Sequence, residues 1–186
     1  MRKPLASNHT DALVVVDAWG NVAVVNHTIN SILWGDTGLF VDGVSIPDPG
    51  ARQSGEIAKA GPGHRLPIGM SPIIVLRGGK PVLGSSTTGG GLHSRHLEVL
   101  SNILDFGMEP QAAVDTPAFF AEASEVEANT FDPALLAAVR KLGADVKVQP
   151  SAKAQRGYWV GVQIDPATHQ MKGGVSRGLE GEVAGY

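Results

Sequence analysis

Two apolar runs, residues 12 to 17 and 22 to 28, are separated by only Ala18-Trp19-Gly20-Asn21. A connection that short joins two β-branched segments as an antiparallel hairpin, since a parallel pair needs a crossover of roughly a dozen residues or more. Glycine points the same way. Of 186 residues 24 are glycine, and they cluster between β-like runs, where tight turns and close backbone approaches use them. A second hairpin is predicted from residues 73–77 and 81–85 around Arg77-Gly78-Gly79-Lys80. The segment Ser86-Thr87-Thr88-Gly89-Gly90-Gly91 after it reads as a strand-to-helix crossing.

The helical signals are fewer. From Leu92 to Phe106, the residues Leu92, His96, Val99, Leu100, Ile103 and Leu104 recur at helical spacing, and Gly107 fits the helix end. Glu109 to Val114 resembles a short helix, stopped by Asp115-Thr116-Pro117 because the residue before proline avoids the α region. Residues 133–142 form a further amphipathic helix, with Asp132 as cap, Pro133 in the first turn and Gly143 at the stop. Strands are predicted at 39–41, 144–148 and 158–164, with a last one before Gly185-Tyr186, while residues 42–67 read as one long surface loop. Strand pairs mixed with helices imply a layered α+β architecture with helices packed on sheet faces.

Composition removes several classes of function. A net charge of −3 with 18% charged residues offers no basic excess for nucleic acid or an anionic membrane. No stretch is long and apolar enough to span a bilayer, and Met1 to Ser7 lack the apolar core of a signal peptide. The absence of cysteine excludes disulfides, thiolate zinc sites and cysteine nucleophiles. His93 and His96 lie one helical turn apart, but no third ligand accompanies them, so no metal and no cofactor is assigned. The expected partner is a small molecule or another polypeptide, with the compartment left open.

Thr10, the Val-Val-Val-Asp17 strand, Gly20-Asn21, the strand ending Thr28-Ile29-Asn30, Met70-Ser71-Pro72, the Gly-Ser-rich stretch at 84–91, Asp105-Phe106-Gly107 and Gly185-Tyr186 occur in a characteristic order. Together they resemble the small subunit of gamma-glutamyltranspeptidases, over nearly the whole chain from Thr10 onward. The resemblance implies an N-terminal-nucleophile hydrolase, a four-layer αββα sandwich of the α+β class made by autocleavage of a precursor. Residues 10–186 would be one catalytic domain. Residues 1–9 would be precursor left in place or an added start. The larger amino-terminal subunit of the same precursor would be the partner, and a small-molecule amide the substrate.

The same resemblance implies the roles of particular residues. Thr10 would be the nucleophile, and its α-amine, once freed by cleavage after His9, the base. Thr28 would hydrogen-bond the nucleophile. Gly89 and Gly90 would donate backbone N–H groups to the oxyanion, with Thr88-Gly89 equally open by one residue of slippage. Without the flanking matches each residue has an ordinary reading. Thr10 would be a strand-favouring residue, Thr28 would line a β face, and the glycines would form a plain strand-helix turn. His27 should point to the opposite strand face from Thr28 and be structural.

Around the acyl group the sequence departs from the family. Members that cut glutathione hold the glutamyl head group with an Asn-Gln and Asp run, but here that stretch is Asp42-Gly43-Val44-Ser45-Ile46-Pro47. Their Ser-Ser pair before Met-Ser-Pro is replaced by Ile68-Gly69. Asn30 alone survives from that pocket. The candidate substrate-binding positions are therefore Asn30, Asp42, Val44, Ile68 and Gly69, and the predicted acyl group is less charged or more apolar, because a site that has lost its polar partners binds a charged group poorly. The favoured reading is amide hydrolysis or acyl transfer through a threonyl acyl-enzyme. The others are true gamma-glutamyl transfer with a rewired pocket and, last, a non-catalytic binding or assembly relative.

Overall fold

The structure, a computed structural model, describes residues 10–28, 37–46, 54–66, 69–120, 125–127, 130–149, 157–177 and 181–185. In chain order the elements are β1 (Thr10–Val16), β2 (Val22–Thr28), β3 (Phe40–Val41), β4 (Val44–Ser45), α1 (Ser54–Ala60), β5 (Ile73–Arg77), β6 (Lys80–Thr88), α2 (Leu92–Leu104) and α3 (Pro110–Asp115). There follow β7 (Phe119–Phe120), β8 (Glu125–Glu127), α4 (Pro133–Lys141), β9 (Lys147–Gln149), β10 (Tyr158–Ile164) and β11 (Met171–Val175). The chain divides into two compact units, Met1–Asp11 with His27–Gly69, and Ala12–Asn26 with Met70–Tyr186.

In the larger unit a four-stranded antiparallel sheet runs in the order β11-β10-β6-β5. Its two faces are covered differently. Gly84 of β6 lies under the β1–β2 hairpin, so closely that a Cβ there would stand 2.6 Å from Val22 Cγ1 and 3.1 Å from Val14 Cγ1. Glycine at 84 is what allows the hairpin to seat on the sheet. On the opposite face Leu83, Val99, Ile103, Ala113, Val114 and Trp159 form the buried core under α2 and α3. Burying a leucine, isoleucine or valine of this cluster contributes about 1.5–3 kcal/mol each. Hairpin on sheet and helices on sheet give the layered α+β arrangement expected from the sequence.

Turn and cap chemistry set the element ends. In the first hairpin Asp17 Oδ1 accepts from the backbone N–H groups of Trp19 and Asn21, each at 2.9 Å, and Asp17 Oδ2 accepts from Asn21 Nδ2 at 2.8 Å. Asn21's side-chain hydrogen bond is the main reason that the Asp17 carboxyl titrates below the usual aspartate range. At α4, Asp132 Oδ1 accepts from Ala134 N at 2.8 Å, the cap read from the sequence.

Several expectations are corrected. Residues 42–67 are not one loop, since β4 and α1 fall inside them, while 47–53 and 67–68 lie outside the described residues. The short α1 was hidden by the surrounding Gly and Pro. Strand β6 does not stop at 85 but continues to Thr88, because its Ser-Ser-Thr-Thr run pairs with β10. The predicted strand at 144–148 is shifted to Lys147–Gln149, where it pairs in parallel with β8. No strand precedes Gly185 among the described residues 181–185, and the last strand is β11. The short β7 and β8, and β11 at Met171–Val175, were not foreseen.

Candidate active site

Thr10 opens β1 and Thr28 closes β2. Asp17 N–H bonds the Asn21 carbonyl at 3.1 Å, and counting outward from that pair along two antiparallel strands brings residue 10 opposite residue 28. The structure shows the consequence. Thr10 Oγ1 donates to Thr28 Oγ1 at 3.0 Å, in a half-buried position. Strand alternation sends His27 to the other face, as expected, where its Nδ1 lies 3.8 Å from Asp11 Oδ2 with both side chains exposed.

Gly89 and Gly90 follow the last residue of β6, and α2 begins two residues later. Gly89 has φ of 83° and Gly91, the N-cap of α2, has φ of 67°. Both conformations are left-handed, so the absence of a Cβ is what permits this turn. Thr10 and Thr28 belong to the smaller unit and the two glycines to the larger.

The candidate pocket positions are partly visible. Asp42 and Gly43 form the tight turn between β3 and β4, with φ of 50° and 82°. Val44 is paired with Val41 and remains 59% exposed. Gly69 is exposed and a Cβ there would meet nothing within 4 Å. Asn30 and Ile68 lie outside the described residues. The structure thus joins Thr10 to Thr28, and places Asp42 and Val44 in one exposed hairpin, the first in its turn and the second at the start of β4.

Sequence reasoning missed a set of buried polar side chains around β6. Asn26 Oδ1 accepts from Ser86 Oγ, and Asn26 Nδ2 donates to the Thr87 carbonyl at 3.5 Å. Ser71 Oγ donates to that same carbonyl at 3.2 Å. On the other face Ser85 Oγ and His96 Nε2 lie 2.7 Å apart. Burial, assisted by the nearby His93 charge, pushes His96 down to about 4, so its imidazole is neutral near pH 7. The signal was present as four consecutive hydroxyl residues in a strand leading to glycine, but it reads equally well as a turn.

Arg95 was also missed, although it sits on the buried face of α2. Its guanidinium donates to the carbonyls of Val114 at 2.5 Å and Thr116 at 3.2 Å, and to Glu98 Oε2 at 3.0 Å. Glu98 Oε1 in turn accepts from Phe119 N at 3.0 Å. Burial raises the Glu98 pKa while Arg95 opposes the rise. These bonds tie α2 to Val114 in α3 and to Thr116 and Phe119 beyond it, which marks Arg95 as structural.

The gamma-glutamyltranspeptidase family model matches residues 2–186. The glutathione hydrolase proenzyme of Pseudomonas sp. (strain A14) is 31% identical over 148 residues, covering 70% of this chain and 26% of its own length. The glutathione hydrolase proenzyme of Escherichia coli (strain K12) is 28% identical over 130 residues, covering 62% of this chain and 22% of its own length. The chain therefore spans about a quarter of the length of these curated relatives. Among solved structures, a mutant of Helicobacter pylori gamma-glutamyltranspeptidase matches with a TM-score of 0.68 at 24% identity, over 89% of this chain and 98% of that one. The α+β fold is that of the N-terminal-nucleophile hydrolases. With the family model matching residues 2–186, this chain belongs to the gamma-glutamyltranspeptidase family.

Proposed function

We propose that the chain is the catalytic small-subunit domain, residues 10–186, of an enzyme that hydrolyses amides or transfers their acyl group through an ester on Thr10. The observation that carries this reading is the 3.0 Å hydrogen bond between the Thr10 and Thr28 hydroxyls. Thr10 Oγ attacks the substrate carbonyl, and its proton passes to the α-amine of Thr10 once cleavage after His9 has freed it. An α-amine titrates near 8, about two units below lysine, which suits it to this exchange near neutral pH. The Gly89 and Gly90 N–H groups receive the negative charge that develops on the carbonyl oxygen. Donors of this kind are each worth about 3 kcal/mol in the transition state. The amine leaves with the proton, and water or a second amine then takes the acyl group from Thr10.

The acyl group is proposed to be less charged than γ-glutamyl. Support comes from Val44 and Pro47 standing where an amide and a carboxylate would be needed, and from Ile68-Gly69 replacing two hydroxyls. A larger amino-terminal subunit of the same precursor is proposed as partner, supported by relatives named as proenzymes, of which the chain spans 26% and 22%. Leu13, Val15 and Val25 form an exposed apolar stripe on the outward face of the hairpin that such a partner would cover. A second reading is γ-glutamyl transfer proper, favoured by the 31% identity to a glutathione hydrolase proenzyme and by Asn30.

The test uses protein expressed from the full-length precursor. Intact-mass measurement after incubation with a panel of amides should show an acyl adduct that disappears in Thr10→Ala. A γ-glutamyl anilide in that panel separates the two readings by whether it forms the adduct. Processed protein that acquires no adduct from any amide would overturn both and leave a non-catalytic relative.

A further inference from the structure

Strand β6 extends beyond its β5 neighbour. The β5–β6 ladder ends at Ile73 opposite Ser85, and the residue before it, Pro72, has no N–H to donate. On the other edge β6 stays paired with β10 through Trp159 opposite Thr87 and Tyr158 opposite Thr88. The β5 edge of residues 86–88 is closed by side chains instead. Ser71 stands opposite Thr87 by continuation of the β5 register, and its hydroxyl, in place of a backbone N–H, donates to the Thr87 carbonyl at 3.2 Å. Asn26 reaches across from β2 with both ends of its amide. It accepts from the Ser86 hydroxyl and donates to the Thr87 carbonyl at 3.5 Å.

Packing alone does not call for an amide at this position. Between Thr10 and Thr28 at the strand ends, the inward residues of the hairpin are otherwise Ala12, Val14, Val16, Val22 and Val24, and a valine at 26 would extend that surface. Ser86 and Thr87 are fully buried, so removing Asn26 would leave a hydroxyl short of its partner and weaken the hold on the carbonyl. The held carbonyl lies two residues before Gly89. A glycine run has no side chains to fix its own conformation, so its orientation is inherited from the strand that feeds it.

We propose that Asn26, acting with Ser71, is a positioning residue that holds the end of β6 so that the Gly89 and Gly90 N–H groups meet the oxyanion in fixed orientation. This rests on the reading that Thr10 is acylated and that these glycines are the donors. Misplacement of such groups by about 1 Å is worth roughly a hundredfold in rate.

The experiment uses the full-length precursor after processing, with kcat expressed per site titrated by acylation. The probes are a chromogenic anilide turned over by the parent and an alkylboronic acid, whose tetrahedral adduct on a threonine hydroxyl imitates the oxyanion. Asn26→Ala is expected to lower kcat by about a hundredfold while KM changes less than about threefold, and to weaken boronate binding by the same factor as kcat. Asn26→Asp, which keeps the shape and the acceptor but lacks the donor to Thr87, and Ser71→Ala, a single-hydroxyl deletion, should show smaller losses of the same kind. Ser85→Ala removes the other buried contact of β6, to His96, and should lower Tm with kcat and boronate affinity retained. Parent-like kcat and boronate affinity in Asn26→Ala, or in the other two should it not fold, would overturn the proposal. So would losses that follow Tm equally in Ser85→Ala. Failure of the underlying reading is seen separately, as anilide turnover that survives Thr10→Ala.

Discussion

The Thr10 hydroxyl donates to the Thr28 hydroxyl across 3.0 Å, joining the first residue of β1 to the last of β2. If this bond orients the nucleophile, Thr28→Val should slow acylation by about ten- to a hundredfold, the range of one lost partially buried hydrogen bond of 1–3 kcal/mol. Thr28→Ser, which keeps the oxygen, should retain most of the rate. Stopped-flow measurement of the acylation burst checks both.

His96 is almost fully buried against Ser85, and its pKa is pushed from 6.5 down to about 4. The unfolded chain takes up a proton near pH 6.5 while the folded protein resists until about pH 4. Stability from this group is therefore complete above pH 6.5 and falls as pH drops through that window, by about 3 kcal/mol in all. Denaturant titrations of wild type and His96→Gln between pH 4 and 7 should show a flatter pH dependence in the variant. Parallel curves would remove His96 as the cause.

Gly174 and Gly84 are both closely approached, but by different neighbours. A Cβ at 174 would lie 2.7 Å from the Pro110 carbonyl carbon and 2.8 Å from Gln111 N, which are backbone atoms of α3. At 84 the nearest atom is a side-chain methyl of Val22. Gly174→Ala and Gly84→Ala should each destabilise by about 1–3 kcal/mol through overpacking. Val22→Ala should recover part of the second loss, and no side-chain truncation on α3 should recover the first. Urea midpoints of the single and double variants decide this.

Arg95 and Glu98 form a pair whose side chains are 8% and 23% exposed. Arg95→Met would strand the Glu98 carboxylate and two carbonyls in the interior, and should destabilise by about 3–5 kcal/mol. Adding Glu98→Leu removes the stranded charge, so the double variant should be more stable than Arg95→Met alone. A double-mutant cycle on chemical denaturation measures the coupling.

Features that depend on neighbours in the chain were legible from the sequence. The Asp17 to Asn21 turn, the Asp132 cap, the α2 periodicity and the β10 span were all set by residues within a few positions of one another. The Thr10 and Thr28 pairing was implied by the family resemblance, and the register of the short hairpin, which sets residue 10 opposite residue 28, is its physical reason. The family's motifs supplied the roles expected of Gly89, Gly90 and the pocket positions. What the chain hid were relationships without a local signature. The parallel β8–β9 pair joins residues 22 positions apart, as in Val126 with Val148, and the short β7 and β8 carry too few residues for a period to emerge. Residues 85–88 were legible as polar, but that they form a buried strand depended on β10, 70 or more residues later, arriving to pair with them.

The sequence by itself determined the hairpin that carries the two threonines, the glycines after β6, and the family. Only the tertiary structure decided which polar side chains hold that strand end, and that Arg95 is buried while Leu97 is exposed. The reason is physical. Periodicity and turn chemistry act through bonds and the next turn of chain, whereas the contacts among Asn26, Ser71 and Ser86 exist because sheet packing brings distant segments within hydrogen-bond reach, where an unpaired polar group would be costly.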